Sequence, residues 1–283
     1  MRMGMSAVVV ALFAGATAAQ DDKVQMALKL VEEAGAAYQA GKYPEAVTLG
    51  KKAIALDPQN PAAHFVVGSA LLRVRDNTGA AAAFREVRRL DPKAVVALDR
   101  LGDALLKLGE FAEAVKCFDE YLQARPKDAP DHWRRGIALY YAGKFQEGVD
   151  QFELHRKVNP EDVENAVWHY LCNARAHSPQ KARAELIPVT KDSRVPMAEV
   201  LQLFAGKRKP QEVLEAAEKA KLSDEERTEA RFYANLYVAL YYESEGDAKK
   251  TLDHLTTAVE KYKIGHYMWD VAAAHLKLLQ TKK

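Results

Sequence analysis

Cysteine is almost missing from this chain: Cys117 and Cys172 are the only two in 283 residues. That excludes a disulfide framework as the source of stability, and the helical order read below puts the two on elements farther apart than the Cα separation of about 7 Å that a bridge tolerates. Two free, mostly buried thiols are expected, in a fold that relies on its apolar core. Charge of a single sign is missing too. Lys and Arg number 41 against 39 Asp and Glu, a net +2. The chain therefore lacks the field that nucleic-acid binding needs, and no basic stripe is interleaved with aromatics. The short run Lys207-Arg208-Lys209 reads as a solvated loop between helices.

The usual catalytic signatures are also missing. There is no Gly-x-Gly-x-x-Gly, no phosphate loop ending in Gly-Lys-Ser/Thr, no His-Glu-x-x-His, no Cys-x-x-Cys and no Gly-x-Ser-x-Gly. The Gly-Lys pairs at 41, 143 and 206 have no Ser or Thr after them and read as turns. His169 and Cys172 lie three apart on one helix, with His177 nearby, but a metal site needs three or four convergent ligands with supporting partners, so helix packing is the reading adopted. Asp99 and Asp103, one turn apart, read as a solvated helix face and not as an acid-base pair, which would need burial to split its pKa values. No catalytic residue, metal or cofactor is expected, and an enzyme is not.

Long apolar runs are confined to the beginning. Residues 1–19 read as a secretory signal: Arg2 gives the positive start, Ala7 to Ala14 the apolar segment, and Ala16-Thr17-Ala18 or Thr17-Ala18-Ala19 the small-residue cleavage site. The apolar stretch Met3 to Ala19 sits near the lower limit of roughly 17–25 residues for a spanning helix. The expectation is export and cleavage, giving a periplasmic or secreted chain with no membrane span. No cysteine lies near the cleavage site to carry a lipid.

What the sequence does have is rhythm. Pro58, Pro92, Pro126 and Pro160 recur every 34 residues, as do Gly68, Gly102 and Gly136. Between Val95 and Asp128 the pattern is fullest. Helices over 96–107 and 111–123 turn at Gly109-Glu110, Gly102 and Ala114 are small where the helices come closest, and Leu101, Leu105, Phe118 and Tyr121 fill the space between. Pro126 stops the second helix, since proline lacks an N–H and disfavours helical angles before it. One such hairpin cannot bury both apolar faces, so neighbours must stack into a continuous core. These residues resemble the tetratricopeptide repeat (TPR) family, which implies an all-α, right-handed solenoid of helix-turn-helix repeats.

Four repeats are assigned within 20–162, at 27–60, 61–94, 95–128 and 129–162. In the second, Arg75-Asp76-Asn77-Thr78-Gly79 replaces the usual Gly-x-aromatic turn, and a looser turn is expected. Past Asp162 the register fails, and 163–283 reads as an irregular helical half. It holds a degenerate repeat (helix 163–176 and a short helix 180–186 ended by Pro188) and short helices at 195–205 and 210–220. A long helix follows from the capping box Ser223 to Glu226 to about Glu245, then a repeat-like hairpin and an amphipathic end helix over 266–280. The order of Ala166 to Leu171, Met197 to Ala205, Gln211 to Ala220, Phe232 to Tyr237 and Tyr241 to Asp247 is similar to NlpI-type bacterial TPR adaptors of the cell envelope. Those carry a lipidated N-terminal cysteine that this chain lacks. That likeness implies a scaffold docking envelope hydrolases or proteases.

The TPR resemblance further implies that first helices line a concave groove. The matching positions give Phe65 and Arg73, then Asp99, Asp103 and Lys107, then Trp133, Ile137, Tyr140 and Tyr141, with Arg175 from the degenerate fifth helix. Trp133, Ile137, Tyr140 and Tyr141 share one helical stripe and form an apolar wall, either exposed as partner anchors or packed as core. The Lys, Asn and Arg clamp with which some TPR domains hold acidic C-terminal tails is replaced here by Phe65, Asp99, Asp103 and Trp133, so such a tail would be repelled. The expected function is an exported adaptor for a protein or peptide partner, with a homodimer left open. The alternative is a small-molecule or glycan-binding protein with a pocket near Trp168, His169 and Arg175, between the regular and irregular halves.

Overall fold

The computed structural model describes residues 6–281, with side chains from residue 21 onward. Among the described residues there are helices and turns and no strand, so the fold class is all-α, of the helical-repeat solenoid kind. No helix among them is long and apolar enough to cross a membrane. The chain divides into two compact units, one up to Ala104 and one from Leu105 on.

The first unit contains α1 (Ser6–Gln39), α2 (Tyr43–Leu56), α3 (Pro61–Arg73), α4 (Asn77–Leu90) and the first part of α5 (Val96–Leu108). Helix α1 is longer than the opening helix predicted from Lys23, because it continues back through the stretch assigned to the leader. Arg2 and the other residues at 1–5 lie outside the described residues, as do the side chains of the cleavage region. Helix α1 packs on α2, α2 on α3 and α3 on α4, and α3 touches α1 as well. Small residues set the spacing. A Cβ added at Gly50 would stand 2.5 Å from Val67 Cγ2, and one at Gly68 would stand 3.0 Å from the Phe84 ring. Asn60 caps α3 by accepting hydrogen bonds from the N–H groups of Ala62 and Ala63, with Pro61 in the first turn where its missing N–H costs nothing.

The turn expected to be loose is as tight as the others. Gly41, Gly109 and Gly143 take φ of 75°, 83° and 76° at the hairpin bends, and Arg75 takes 63° in the equivalent place. The closing bond from Asp76 N–H to Leu71 C=O spans 3.0 Å, against 2.9 Å for Glu110 to Leu105 and Lys144 to Leu139. A non-glycine residue in this left-handed region is disfavoured by roughly 1–2 kcal/mol. The Asp76 carboxylate, which caps α4 at Gly79 N–H over 2.9 Å, offsets part of that.

The second unit holds α6 (Phe111–Ala124), a 3-10 turn (Pro126–Asp131), α7 (Trp133–Tyr141), α8 (Phe145–Arg156), α9 (Val163–Ala176), α10 (Pro179–Ala184), α11 (Met197–Phe204), α12 (Pro210–Lys219), α13 (Asp224–Ser244), α14 (Ala248–Thr256), a π turn (Thr257–Lys261) and α15 (Tyr267–Thr281). Helix α7 starts later than the repeat pattern predicts from Ala129, since Pro126 and Pro130 hold the preceding segment in the 3-10 turn. Small residues again admit close neighbours: a Cβ at Gly136 would lie 2.5 Å from the Phe152 ring, and one at Gly148 would lie 2.6 Å from Cys172 Sγ.

Helix α9 is the hub of this unit. It is buried from Val163 through Ala174 at every position but Glu164, as befits a helix packed by α7, α8, α10, α11 and α13. Long α13 begins where the sequence places it. Ser223 Oγ accepts from Glu226 N–H while the Glu226 carboxylate accepts from Ser223 N–H at 2.8 Å. Residues 185–196 form a strap without helix. It is fastened to the start of α9 by the N–H groups of Thr190 and Lys191 on Glu161, by Val163 N–H on Asp192, and by Arg194, which reaches Asp162 and Glu164 at 2.7 Å each and Asp192 at 2.6 Å.

Candidate binding cleft

The aromatic stripe on α7 is where sequence and structure part. Ile137 and Tyr140 are only 1% and 3% exposed, which makes them core residues and not an open wall. Tyr140 packs edge-on to Trp168 of α9 at 5.5 Å and donates its hydroxyl to Glu243 of α13 over 3.1 Å. Tyr141 stacks on Phe111 at 4.6 Å and meets His275 of α15 at 5.0 Å. Burial, and then the nearby Glu243 charge, holds both phenols well above the ordinary tyrosine range. For Glu243 itself burial acts upward, but the hydrogen bond and charge of His275, 3.4 Å away, and the Tyr140 hydroxyl bring its carboxyl below the usual value. The end helix thus lies over the stripe instead of merely capping the last repeat.

Trp133 is the member of the stripe that remains half-exposed at a cavity. Its ring meets Tyr267 of α15 edge to face at 4.9 Å, and Lys107 Nζ sits 4.6 Å from the centre of the Tyr267 ring. Between α7, α8, α9 and α15 opens a cleft of about 610 Å³, within the range of ligand-binding cavities. Ile137, Phe152 and Trp168 form its buried apolar base, Met268 lies on its α15 side, and Val158, 49% exposed, stands at its mouth. Asn165 and Trp168, both lining the cleft, carry buried polar atoms without a protein partner, the Oδ1 of the first and the Nε1 of the second. Each such atom costs roughly 1–3 kcal/mol while unsatisfied.

Acidic residues surround the entrance. Asp131 is exposed, while Asp162 and Glu164 are held by Arg194. Burial raises the Glu164 carboxyl above its ordinary value despite Arg194 and the Tyr237 hydroxyl, which donates to it at 2.6 Å.

The other sequence-derived groove residues are not gathered here. Arg175 is exposed with its guanidinium 4.8 Å from the Phe145 ring centre. In the first unit, Phe65 packs edge-on to Phe84 at 5.6 Å, and Arg73 is exposed over the Tyr43 ring at 4.9 Å. Asp99 and Asp103, expected on a solvated face, are 8% and 5% exposed. Of the residues named for a small-ligand pocket, Trp168 lines the cleft. His169 instead faces Glu153 at 3.6 Å, and burial lowers its basicity. Among the described residues no group of three or more His, Cys, Asp or Glu is placed to hold a metal. The sequence reading missed Asn165, Val158, Tyr267 and Met268. The one available signal was that Asn165 and Trp168 lie three apart on a helix already read as packed.

The family model described as tetratricopeptide repeat matches residues 11–61, 31–95, 65–129 and 100–157, together just over half of the chain. This chain belongs to the tetratricopeptide repeat family. Such proteins generally mediate protein-protein interactions and are typically non-enzymatic scaffolds. Among solved structures, a tetratricopeptide repeat protein from Parabacteroides merdae ATCC 43184 is 15% identical with a TM-score of 0.59, covering 90% of this chain and 99% of its own. YrrB, described as a TPR protein with an unusual peptide-binding site, is 19% identical with a TM-score of 0.57, covering 68% and 97%. MamA from Desulfovibrio magneticus RS-1 is 21% identical with a TM-score of 0.50, covering 58% and 90%. At these identities the likeness is one of fold. No curated protein matches the chain.

Proposed function

We propose that this chain is an exported adaptor that grips a polypeptide, with the cleft beside α7 as its anchor point. The observation that carries the reading is a half-exposed tryptophan, Trp133, above an apolar base in a family of protein-binding modules. YrrB, a relative in fold, is described as having a peptide-binding site. Export rests on the leader pattern of residues 1–19, and the likeness of the second half to NlpI-type adaptors supports envelope hydrolases or proteases as partners. The exposed Asp131 carboxylate at the entrance disfavours acidic tails. The test is capture from the envelope fraction by the wild-type chain and by Trp133→Ala, with partners identified by mass spectrometry and re-bound in purified form. Loss of a partner with Trp133→Ala supports the reading, and undiminished binding of every partner contradicts it. A second reading, a small-molecule or glycan-binding protein, draws on the volume of the same cleft. A ligand that raises the melting temperature of a chain with no polypeptide partner would favour it.

A further inference from the structure

We infer that the cleft takes one bulky apolar side chain of a polypeptide together with an adjoining backbone amide, and that a basic residue adjoins it in the bound segment. This rests on the polypeptide-binding reading above and specifies what is bound. The base of the cleft determines the first feature. Ile137, Phe152 and Trp168 are buried hydrocarbon, and Val158 extends that surface to the mouth, so a large apolar side chain displaces water from both itself and the walls. Alanine would leave the space unfilled, and a carboxylate would be desolvated without a counter-charge.

Helix α9 determines the second feature. Asn165 Oδ1 is an acceptor and Trp168 Nε1 a donor. Both are buried and unpartnered within the protein, and they lie three residues apart, on one helix face. A secondary amide is the complement of such a pair, its N–H donating to Asn165 and its C=O accepting from Trp168. An ammonium group could satisfy the asparagine alone and a carboxylate the tryptophan alone. Both residues line the cleft, and a guest amide pairs with these atoms as the two side chains turn toward it.

The entrance determines the third feature. Arg194 engages Asp162 and Glu164, which leaves Asp131 exposed and, among the described residues, with no cation paired to it. A lysine or arginine beside the anchoring side chain complements that carboxylate, and an acidic residue is repelled by it.

The test uses the full chain and acetylated, amidated pentapeptides of sequence Ala-Ala-X-Lys-Ala, titrated by NMR and calorimetry. With X as Trp, Phe or Leu, binding is expected at millimolar concentration or below, with shifts in α7, α9 and α15. Peptides with X as Ala or Asp should bind at least about tenfold more weakly, as loss of a buried side chain implies. Exchanging the lysine for glutamate should weaken binding severalfold. Trp168→Phe keeps a ring and removes the N–H, and should lower affinity about tenfold per folded molecule. Should that variant fold poorly, a peptide N-methylated at the amide beside X removes the donor to Asn165 instead and should bind severalfold more weakly to the wild-type chain. Equal binding of all these peptides, or shifts confined to the residues before Ala104, would overturn this inference and spare the adaptor reading. If neither the peptides nor any native polypeptide bound, both would fall. N-acetylglucosamine binding in the cleft without peptide binding would overturn it in favour of a glycan site.

Discussion

Trp133 and Tyr267 meet edge to face, ring centres 4.9 Å apart and planes at 84°. The first opens α7 and the second opens α15, so a residue of the regular array and a residue of the last helix together wall the cleft. A double-mutant cycle with Trp133→Ala and Tyr267→Ala, measured by urea unfolding, should give a coupling energy of about 0.5–1.5 kcal/mol. Additive effects would mean that the two rings do not meet in solution.

Tyr140 behaves as a core residue. Tyr140→Phe removes the hydroxyl that Glu243 accepts at 3.1 Å and leaves that carboxylate short of a donor. The expected loss is about 1.5–3 kcal/mol, the range for hydrogen bonds to charged groups. Polypeptide capture per folded molecule should be unchanged. If capture falls while stability holds, Tyr140 is a groove residue after all.

The strap over 185–196 makes stability depend on acid in two opposed ways. Burial alone would raise the Asp192 carboxyl. The hydrogen bond and charge of Arg194, joined by the N–H groups of Val163 and Arg194, hold it below its ordinary value instead. A carboxyl lowered by folding contributes stability that is complete above its unfolded pKa of about 3.9 and is lost as pH falls through the lower, folded value. Glu164 is raised, so its ionisation opposes folding once pH climbs above about 4.3. Asp192→Asn should therefore destabilise at pH 7, with the gap to wild type closing in strong acid. Glu164→Gln should gain on wild type as pH rises from 4 to 7. Urea midpoints from pH 7 down to about pH 2 check both, and gaps that stay constant over that whole span would refute the assignment.

Much of the array was legible because its determinants are local or strictly spaced. The 34-residue interval of prolines and glycines anticipated the hairpins, and Gly148 lies at a close contact, against Cys172. The pair Ser223 and Glu226 located the start of α13 to the residue. The Arg75 turn was misjudged because the missing glycine was taken for a missing geometry, whereas the hairpin closure imposes a left-handed residue there whatever its type. Nothing in the sequence revealed that α15 lies against α7. An apolar stripe says that a helix face is buried and not which partner buries it, so Ile137 and Tyr140 looked equally suited to groove and core. The unsatisfied atoms of Asn165 and Trp168 are likewise products of tertiary placement.

The two thiols should differ in reactivity. Neither is in a disulfide, Cys117 is half-buried and Cys172 buried, and burial pushes the Cys172 thiol far above its ordinary pKa. Iodoacetamide at pH 8 should alkylate Cys117 first and Cys172 only on unfolding, as peptide mass spectrometry would report. Early labelling of Cys172 would show that α9 is not the closed hub described above.

The central claim, that the cleft beside α7 receives another polypeptide, is tested most directly by a photo-crosslinking amino acid placed at Val158, exposed at the mouth, with exposed Lys249 on α14 as the control position. Irradiation in the native cell should yield a discrete adduct with a second polypeptide from position 158 and none from 249. Adducts of equal yield from both positions, or none from 158, would contradict the account.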